Sequence, residues 1–174
     1  MLEVQKYLKS GKNIVDLESE FSIKTTFHPN LPLVILNYNQ IESPKTETIV
    51  RECRALTLHS KNYDVVAKSM NRFFNWGEVE EEQAHFDFSD FIVQSKEDGS
   101  LVVLYFFDGE WHANTRGSFA FDNLQYQNFT WRDGFCKAMS ISSLSDLKGR
   151  LDEKITYICE FCSPWNKVVR KYAE

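Results

Sequence analysis

Lys96 stands in Lys96-Glu97-Asp98-Gly99-Ser100, directly ahead of the apolar run Leu101–Phe107. An amine at the entrance to a buried strand could act as a nucleophile. It attacks only when neutral, and a lysine ordinarily has a pKa of about 10.4. Partial burial or a nearby cation, a metal included, lowers that value. Gly99 lets the backbone bend and lets a ligand approach closely. Read alone, K-x-D-G is no more than a lysine in a hairpin turn.

Three arginines accompany it. Arg54 lies in Arg51-Glu52-Cys53-Arg54, Arg72 precedes Phe73-Phe74-Asn75-Trp76, and Arg116 heads Arg116-Gly117-Ser118. Each falls at the end of an expected strand. A guanidinium grips phosphate oxygens in a fork, so three together suit a polyanion. Singly, each reads as a surface salt-bridge partner. Gly117 beside Arg116 again favours close approach of the backbone to a ligand. Glu160 shares a strand face with Ile158 and Thr156, where an apolar residue is expected. A buried carboxylate needs donors, which a ribose hydroxyl or an arginine would supply equally well. Cys159 and Cys162 form a C-x-x-C, but residues three apart on a strand face opposite sides and cannot hold one ion.

The elements that must position these groups are readable in outline. Residues 2–9 suggest a short helix, and Leu31 to Leu36 a buried strand opening into Asn37-Tyr38-Asn39. Residues 52–58 and 63–68 read as two strands around a polar turn at 60–62. Glu78 to Gln83 favours a short acidic helix. Phe91–Gln94 reads as a strand that Lys96–Ser100 interrupts before Leu101–Phe107. Asp108-Gly109 is a two-residue hairpin signal, with the return running through Trp111 to Thr115. Residues 128–139 and 142–150 are expected to be helical, the second capped near Ser142 or Ser143. A last strand surrounds Glu160, followed by the apolar pair Val168-Val169. The sum is one α+β domain over residues 1–174 with a largely antiparallel sheet.

Composition sets outer bounds. A chain of 174 residues with 43% hydrophobic and 14% aromatic content can bury a real core. A net charge of −5 and a pI near 5.4 argue against a broad basic face that coats nucleic acid, though not against a grip on one strand end. Local clusters such as Lys167, Arg170 and Lys171 would serve such a grip, or form a solvated face. No leader or membrane-length apolar run is present, so a soluble, cytoplasmic protein is expected.

In sequence order, Arg-Glu-Cys-Arg, Arg-Phe-Phe-Asn, Lys-Glu-Asp-Gly-Ser, Arg-Gly-Ser and Glu-Phe-Cys-Ser-Pro-Trp-Asn-Lys-Val-Val resemble the bacteriophage T4 RNA ligase 1 family over roughly residues 31–171. The resemblance implies a covalent nucleotidyltransferase (adenylation) domain that uses ATP and Mg2+. Lys96 would take up AMP, pass it to an RNA 5′-phosphate, and so prepare the end for sealing to a 3′-hydroxyl. It implies Glu160 as the ribose contact, and Tyr38, Arg54, Arg72, Phe74, Gly99 and Arg116 around the nucleotide. Arg72 and Arg116 stand where the family more usually has lysine, and arginine's rigid fork is not a point charge. The family domain continues into an acidic segment and one bearing two lysines, so the 174 residues are read as the N-terminal part of an incomplete domain. A missing C-terminal segment or a complementing chain would then be a partner beside the RNA ends. Two rival readings are a GTP-using capping-type enzyme and a module that binds a nucleotide or RNA end without chemistry.

Overall fold

The computed structural model describes residues 1–121, 125, 126, 129–164, 169 and 172. Helix α1 (Glu3–Lys9) begins without a side-chain cap of its own. Its free N–H groups are instead taken from far along the chain. Glu52 accepts from Glu3 N at 3.1 Å and from Val4 N at 2.9 Å. A carboxylate there meets both the unpaired donors and the positive end of the helix. Helix α2 (Ile14–Phe21) opens on a capping box: Asn13 Oδ1 accepts from Val15 N and Asp16 N, and Asp16 returns the bond to Asn13 N. The N-x-x-D spacing of that box is visible in the sequence, yet neither α2 nor the strand after it is among the elements expected above.

A four-stranded antiparallel sheet follows, in the order β1 (Ile23–Phe27), β2 (Leu33–Tyr38), β3 (Leu56–His59), β4 (Val65–Ala67). The expected strand over 52–58 is corrected at its start. Helix α3 (Thr48–Glu52) occupies that end, and Cys53 N bonds back to Ile49 and Val50 carbonyls before the chain extends at Leu56. The first core cluster sits between this sheet and α1, α2 and α3, with Val4, Leu17, Val34, Leu36, Val50 and Leu58 all fully buried.

The second sheet is three-stranded, in the order β6 (Glu110–Thr115), β5 (Ser100–Phe107), β9 (Tyr157–Phe161). As the Asp108-Gly109 signal implies, β5 and β6 form a hairpin, with φ of 51° at Asp108 and 84° at Gly109. Strand β9 pairs along the other edge of β5. After the small β7–β8 pair (Gln125–Tyr126, Phe129–Thr130), helix α5 (Trp131–Ala138) covers one face of this sheet. Helix α4 (Glu80–Gln83) is a single turn. The helix expected over 142–150 is only the 3-10 turn Leu144–Leu147, because Lys148 is extended and Gly149 takes φ 74°.

Two sequence expectations fail at the entrance to β5. Residues 91–98 carry no strand, and Ile92 and Val93 are 85% and 82% exposed. A strand needs a neighbour for its N–H and C=O groups, and no described strand lies beside these residues. Lys96 is therefore reached through an exposed segment rather than a buried strand. The two sheets meet through Leu33, Ala55 and Ala67 on one side and Val103 and Tyr105 on the other. No helix of the described residues is long and apolar enough to cross a membrane.

Candidate functional site

Strand direction collects the candidate residues at one end of both sheets. In the first sheet, Leu36 pairs with Leu56 and Thr57 with Ala67. The end of β2, the start of β3 and the end of β4 thus coincide, bringing Tyr38, Arg54 and Arg72 together. Backbone bonds tighten this end: Tyr38 N donates to Cys53 O, and Arg72 N to Arg51 O, each at 2.7 Å. In the second sheet, Val102 pairs with Thr115, and Leu101 with Glu160. Gly99, Arg116 and Glu160 therefore share the end where β5 begins and β6 and β9 finish.

Arg116 links the two sheets. Its Nε donates to Asn37 Oδ1 at 3.0 Å, and Thr26 Oγ1 donates to Gly117 O at 2.9 Å. The Arg116 guanidinium lies 4.4 Å from the centre of the Tyr38 ring, and that of Arg72 lies 4.3 Å from it. Arg54 stacks on Phe73 at 4.8 Å. Such cation–π contacts hold guanidiniums in place at about 0.5–2 kcal/mol each.

The result is a cleft of about 280 Å³ lined by Tyr38, Arg54, Arg72, Arg116, Phe73, Gln40, Asn75 and Glu78. Three guanidiniums face one carboxylate, and Glu78 already pairs with Lys45 at 3.0 Å. Burial pushes the pKa of Arg116 down, Tyr38 opposes that shift, and the charges of Arg54 and Arg72 add to it. Arg72 is 5% exposed. Nη1 of Arg54 and Nη1 of Arg72 are buried with no hydrogen-bond partner among the described residues. Buried cationic donors left unmade are costly, so this arrangement is suited to an anion with several oxygens.

Lys96 and Glu160 are not among the residues lining that cleft. Lys96 is exposed. Glu160 is exposed too, and Ile158 on the same face is 40% exposed, so the expected buried carboxylate is corrected. The buried face of β9 is the other one, which carries Phe161 and Cys159 against α5 and its neighbours. Glu160 nonetheless has a definite partner, for its Oε1 accepts from Gly99 N at 3.1 Å. Asp98 is held from the same side of the chain: Val169 N donates to Asp98 Oδ2 at 2.6 Å, and Asp98 N to the Tyr172 hydroxyl at 3.1 Å. The turn after Lys96 is thus fixed by Glu160, Val169 and Tyr172.

Gly99 is needed for a reason other than ligand approach, since a Cβ there would meet the Phe161 carbonyl oxygen at 2.5 Å. At Gly117 an added Cβ would touch only Asn37 Nδ2, at 3.9 Å. Phe74 stands one cavity away, in a recess of about 260 Å³ with Arg51, Trp76 and Phe86. Arg72 also reaches it, at 5.3 Å. Cys162 lies beyond the end of β9, and no group of three or more potential metal ligands occurs among the described residues. Of the basic cluster proposed from sequence, Lys167, Arg170 and Lys171 lie outside the described residues. Sequence reasoning missed Asn37, Gln40, Asn75 and Glu78. Their place beside Tyr38 and Arg72 in sequence was the available signal.

Comparison with known proteins shows the family of the chain. Residues 52–174 match a family model described as RNA ligase. Over 189 aligned positions the chain is 33% identical to a protein named as a bifunctional polynucleotide kinase/RNA ligase from Autographa californica nuclear polyhedrosis virus. That alignment covers 100% of this chain and 27% of the viral protein, so the chain spans about a quarter of the length of the curated relative it matches. A match running from Glu52 across the arginine cleft, the lysine turn and β9 assigns the chain to the RNA ligase family.

Proposed function

We propose that this chain carries the nucleotide-activating part of an ATP-dependent RNA ligase, on a nucleotidyltransferase-type domain. The observation that supports it best is the cleft of Tyr38, Arg54, Arg72 and Arg116, with two buried guanidinium nitrogens awaiting acceptors. A triphosphate supplies those acceptors. In this reading the three guanidiniums hold the phosphates, Tyr38 walls the nucleotide site, and Phe74 supports it from the neighbouring recess through its contact with Arg72. Glu160 receives a ribose hydroxyl, and its bond to Gly99 N keeps the lysine turn beside it.

The chemistry proceeds in three displacements. The Lys96 amine, having lost its proton, forms a bond to the α-phosphorus of ATP while the bond to pyrophosphate breaks. An RNA 5′-phosphate oxygen then attacks the same phosphorus, the P–N bond breaks, and the amine regains a proton. Last, a 3′-hydroxyl oxygen attacks the activated RNA end, and AMP leaves with the bonding pair. The arginines act by countering charge on the oxygens and the departing pyrophosphate. Magnesium, when bound, screens the same phosphates.

One observation favours a second reading. Lys96 is exposed and apart from the cleft lining, as in a module that binds a nucleotide and forms no adduct. Labelled ATP with magnesium, followed by a denaturing gel, separates the two. Ligase chemistry gives a labelled protein band that disappears in Lys96→Ala. Binding with no band supports the module, and a band with GTP alone supports a capping-type enzyme. Full labelling of Lys96→Ala would remove this lysine from the reaction.

A further inference from the structure

Beside the arginine cleft runs a second groove that the nucleotide does not require. It measures about 330 Å³, and its lining includes Lys24, Asn37, Asn39, Gln40, Arg116 and Gly117. It shares Tyr38, Gln40 and Arg116 with the cleft, so one wall divides the two. We propose that this groove is the subsite for the RNA strand, taking a backbone phosphate next to the end that is activated. The inference rests on the ligase reading and deepens it.

The chemistry of the lining carries the proposal. Two cations and three side-chain amides line the groove, and no carboxylate is among its described lining residues. That balance is unusual in a chain of net charge −5. Lys24 pairs across the ladder with Asn37, which sets the two side chains on one face of the sheet. Lys24 is exposed and has no carboxylate partner among the described residues. The rest of the wall is built. Asn37 holds Arg116 by Nε, Thr26 holds the Gly117 carbonyl, and Asn39 shapes the loop, its Oδ1 accepting from Ile41 N at 3.0 Å and its Nδ2 donating to the Glu42 carboxylate outside the lining. At Gly117 an added Cβ would meet only the Asn37 side-chain amide, at 3.9 Å, which leaves room for a polymer backbone to pass close.

Position favours a strand over a second mononucleotide. The groove lies open along β1, and its one described aromatic, Tyr38, is already engaged by the guanidiniums of Arg72 and Arg116; amides and a flexible cation make up the rest of its polar lining. Sharing Arg116 sets its phosphate adjacent to those in the cleft. An RNA 5′-phosphate must come to the α-phosphate for transfer, and a strand entering along Lys24 arrives there.

The test measures binding of a 3′-fluorescein, 5′-phosphorylated single-stranded RNA by anisotropy across a salt series, with Lys24→Ala and Lys24→Glu. Thermal melts confirm folding of each. Lys24→Glu is expected to weaken binding at least tenfold. Lys24→Ala should lower the salt slope by about 0.7, the share of one phosphate contact on a single strand. Adduct formation with ATP should stay at the wild-type level in both Lys24 variants. Inorganic phosphate at an equal phosphate concentration should compete poorly. Wild-type affinity and slope in both Lys24 variants would overturn the proposal, as would competition by inorganic phosphate equal to that of RNA. A wild-type chain that forms no lysine adduct defeats the ligase reading alone, because RNA binding is read independently of it.

Discussion

The amide of Gly99 donates to Glu160 Oε1 at 3.1 Å, which ties the turn after Lys96 to the end of β9. The same glycine lies so close to Phe161 that a methyl group would meet its carbonyl oxygen at 2.5 Å and its carbonyl carbon at 2.8 Å. Both atoms are backbone, so relief requires moving a strand rather than a side chain. Gly99→Ala is expected to destabilise the fold by about 1–3 kcal/mol through overpacking. It should also abolish labelling by ATP, since the displaced turn carries Lys96. Urea denaturation measures the first effect. A Gly99→Ala protein of unchanged stability would show that β5 and β9 are not this close.

Tyr38 holds two guanidiniums against its ring, Arg72 at 4.3 Å and Arg116 at 4.4 Å. The ring makes both of those contacts, and the hydroxyl adds a hydrogen bond from Arg116. Tyr38→Phe should therefore keep ATP affinity within about threefold of wild type. Tyr38→Ala removes a side chain that is 8% exposed and should cost about 3–5 kcal/mol of stability. Arg72→Lys keeps the charge but loses the planar fork and the stacking. It should fold and bind ATP about tenfold more weakly, a change of about 1.4 kcal/mol. Calorimetric titration with ATP decides the matter. Equal losses in Tyr38→Phe and Tyr38→Ala would mean that the hydroxyl, rather than the ring, organises the cleft.

These residues illustrate what the sequence could and could not say. The hairpin was legible because Asp108-Gly109 forces the turn locally and Leu101–Phe107 is continuously apolar. Arg54, Arg72 and Arg116 were legible as candidates because each follows or precedes a readable strand. Their union was not, since it depends on which strand ends coincide, and that is set by ladder register between distant segments. Glu160 was misread as buried because alternation names two faces of a strand without saying which is covered. Here α5 covers the Phe161 face. Helix α3 escaped notice because its last residue, Glu52, is fixed by α1, nearly fifty positions earlier. The Phe91–Gln94 pattern is a fair strand signal, but no described segment pairs with it.

Glu52 makes a stability prediction of its own. Its carboxylate is 7% exposed and receives both Glu3 N and Val4 N at the start of α1. Glu52→Ala leaves two N–H groups without an acceptor in a buried setting. Hydrogen bonds to a charged group are worth about 1.5–3 kcal/mol each in such comparisons. A loss of roughly 2–4 kcal/mol is expected, since the two bonds share one side chain. Glu52→Gln keeps one acceptor and should recover about half of it. Hydrogen exchange should show the first turn of α1 opening in Glu52→Ala, with the hairpin amides still protected. Uniform loss of protection across the chain would mean that Glu52 supports more than the helix end.

Glu78 sets the charge of the arginine cleft. It is the one carboxylate among the described lining residues, and it stands against three guanidiniums that would otherwise be free for an anion. Its hydrogen bond from Lys45 holds its pKa below the ordinary carboxylate value, helped by the Asn75 amide and by the nearby charge of Arg72. Glu78→Gln removes a negative charge from beside the bound phosphates and releases Lys45. ATP affinity should rise about fivefold, the scale of one unit charge at contact distance in a water-like medium. Because the folded pKa is depressed, Glu78 stays ionised through neutral pH, and its pairing with Lys45 is lost only as the pH falls through that lowered value. The ratio of variant to wild-type affinity should accordingly stay constant from pH 8 to about pH 5, well above the usual glutamate pKa of about 4.3. It should shrink only below that range, as the wild-type carboxyl takes up its proton. Taking a ratio cancels the titration of ATP itself. A gap that closes by pH 6 would show that Lys45 does not hold the carboxylate ionised, and no gap at any pH would place the bound phosphates away from this cleft.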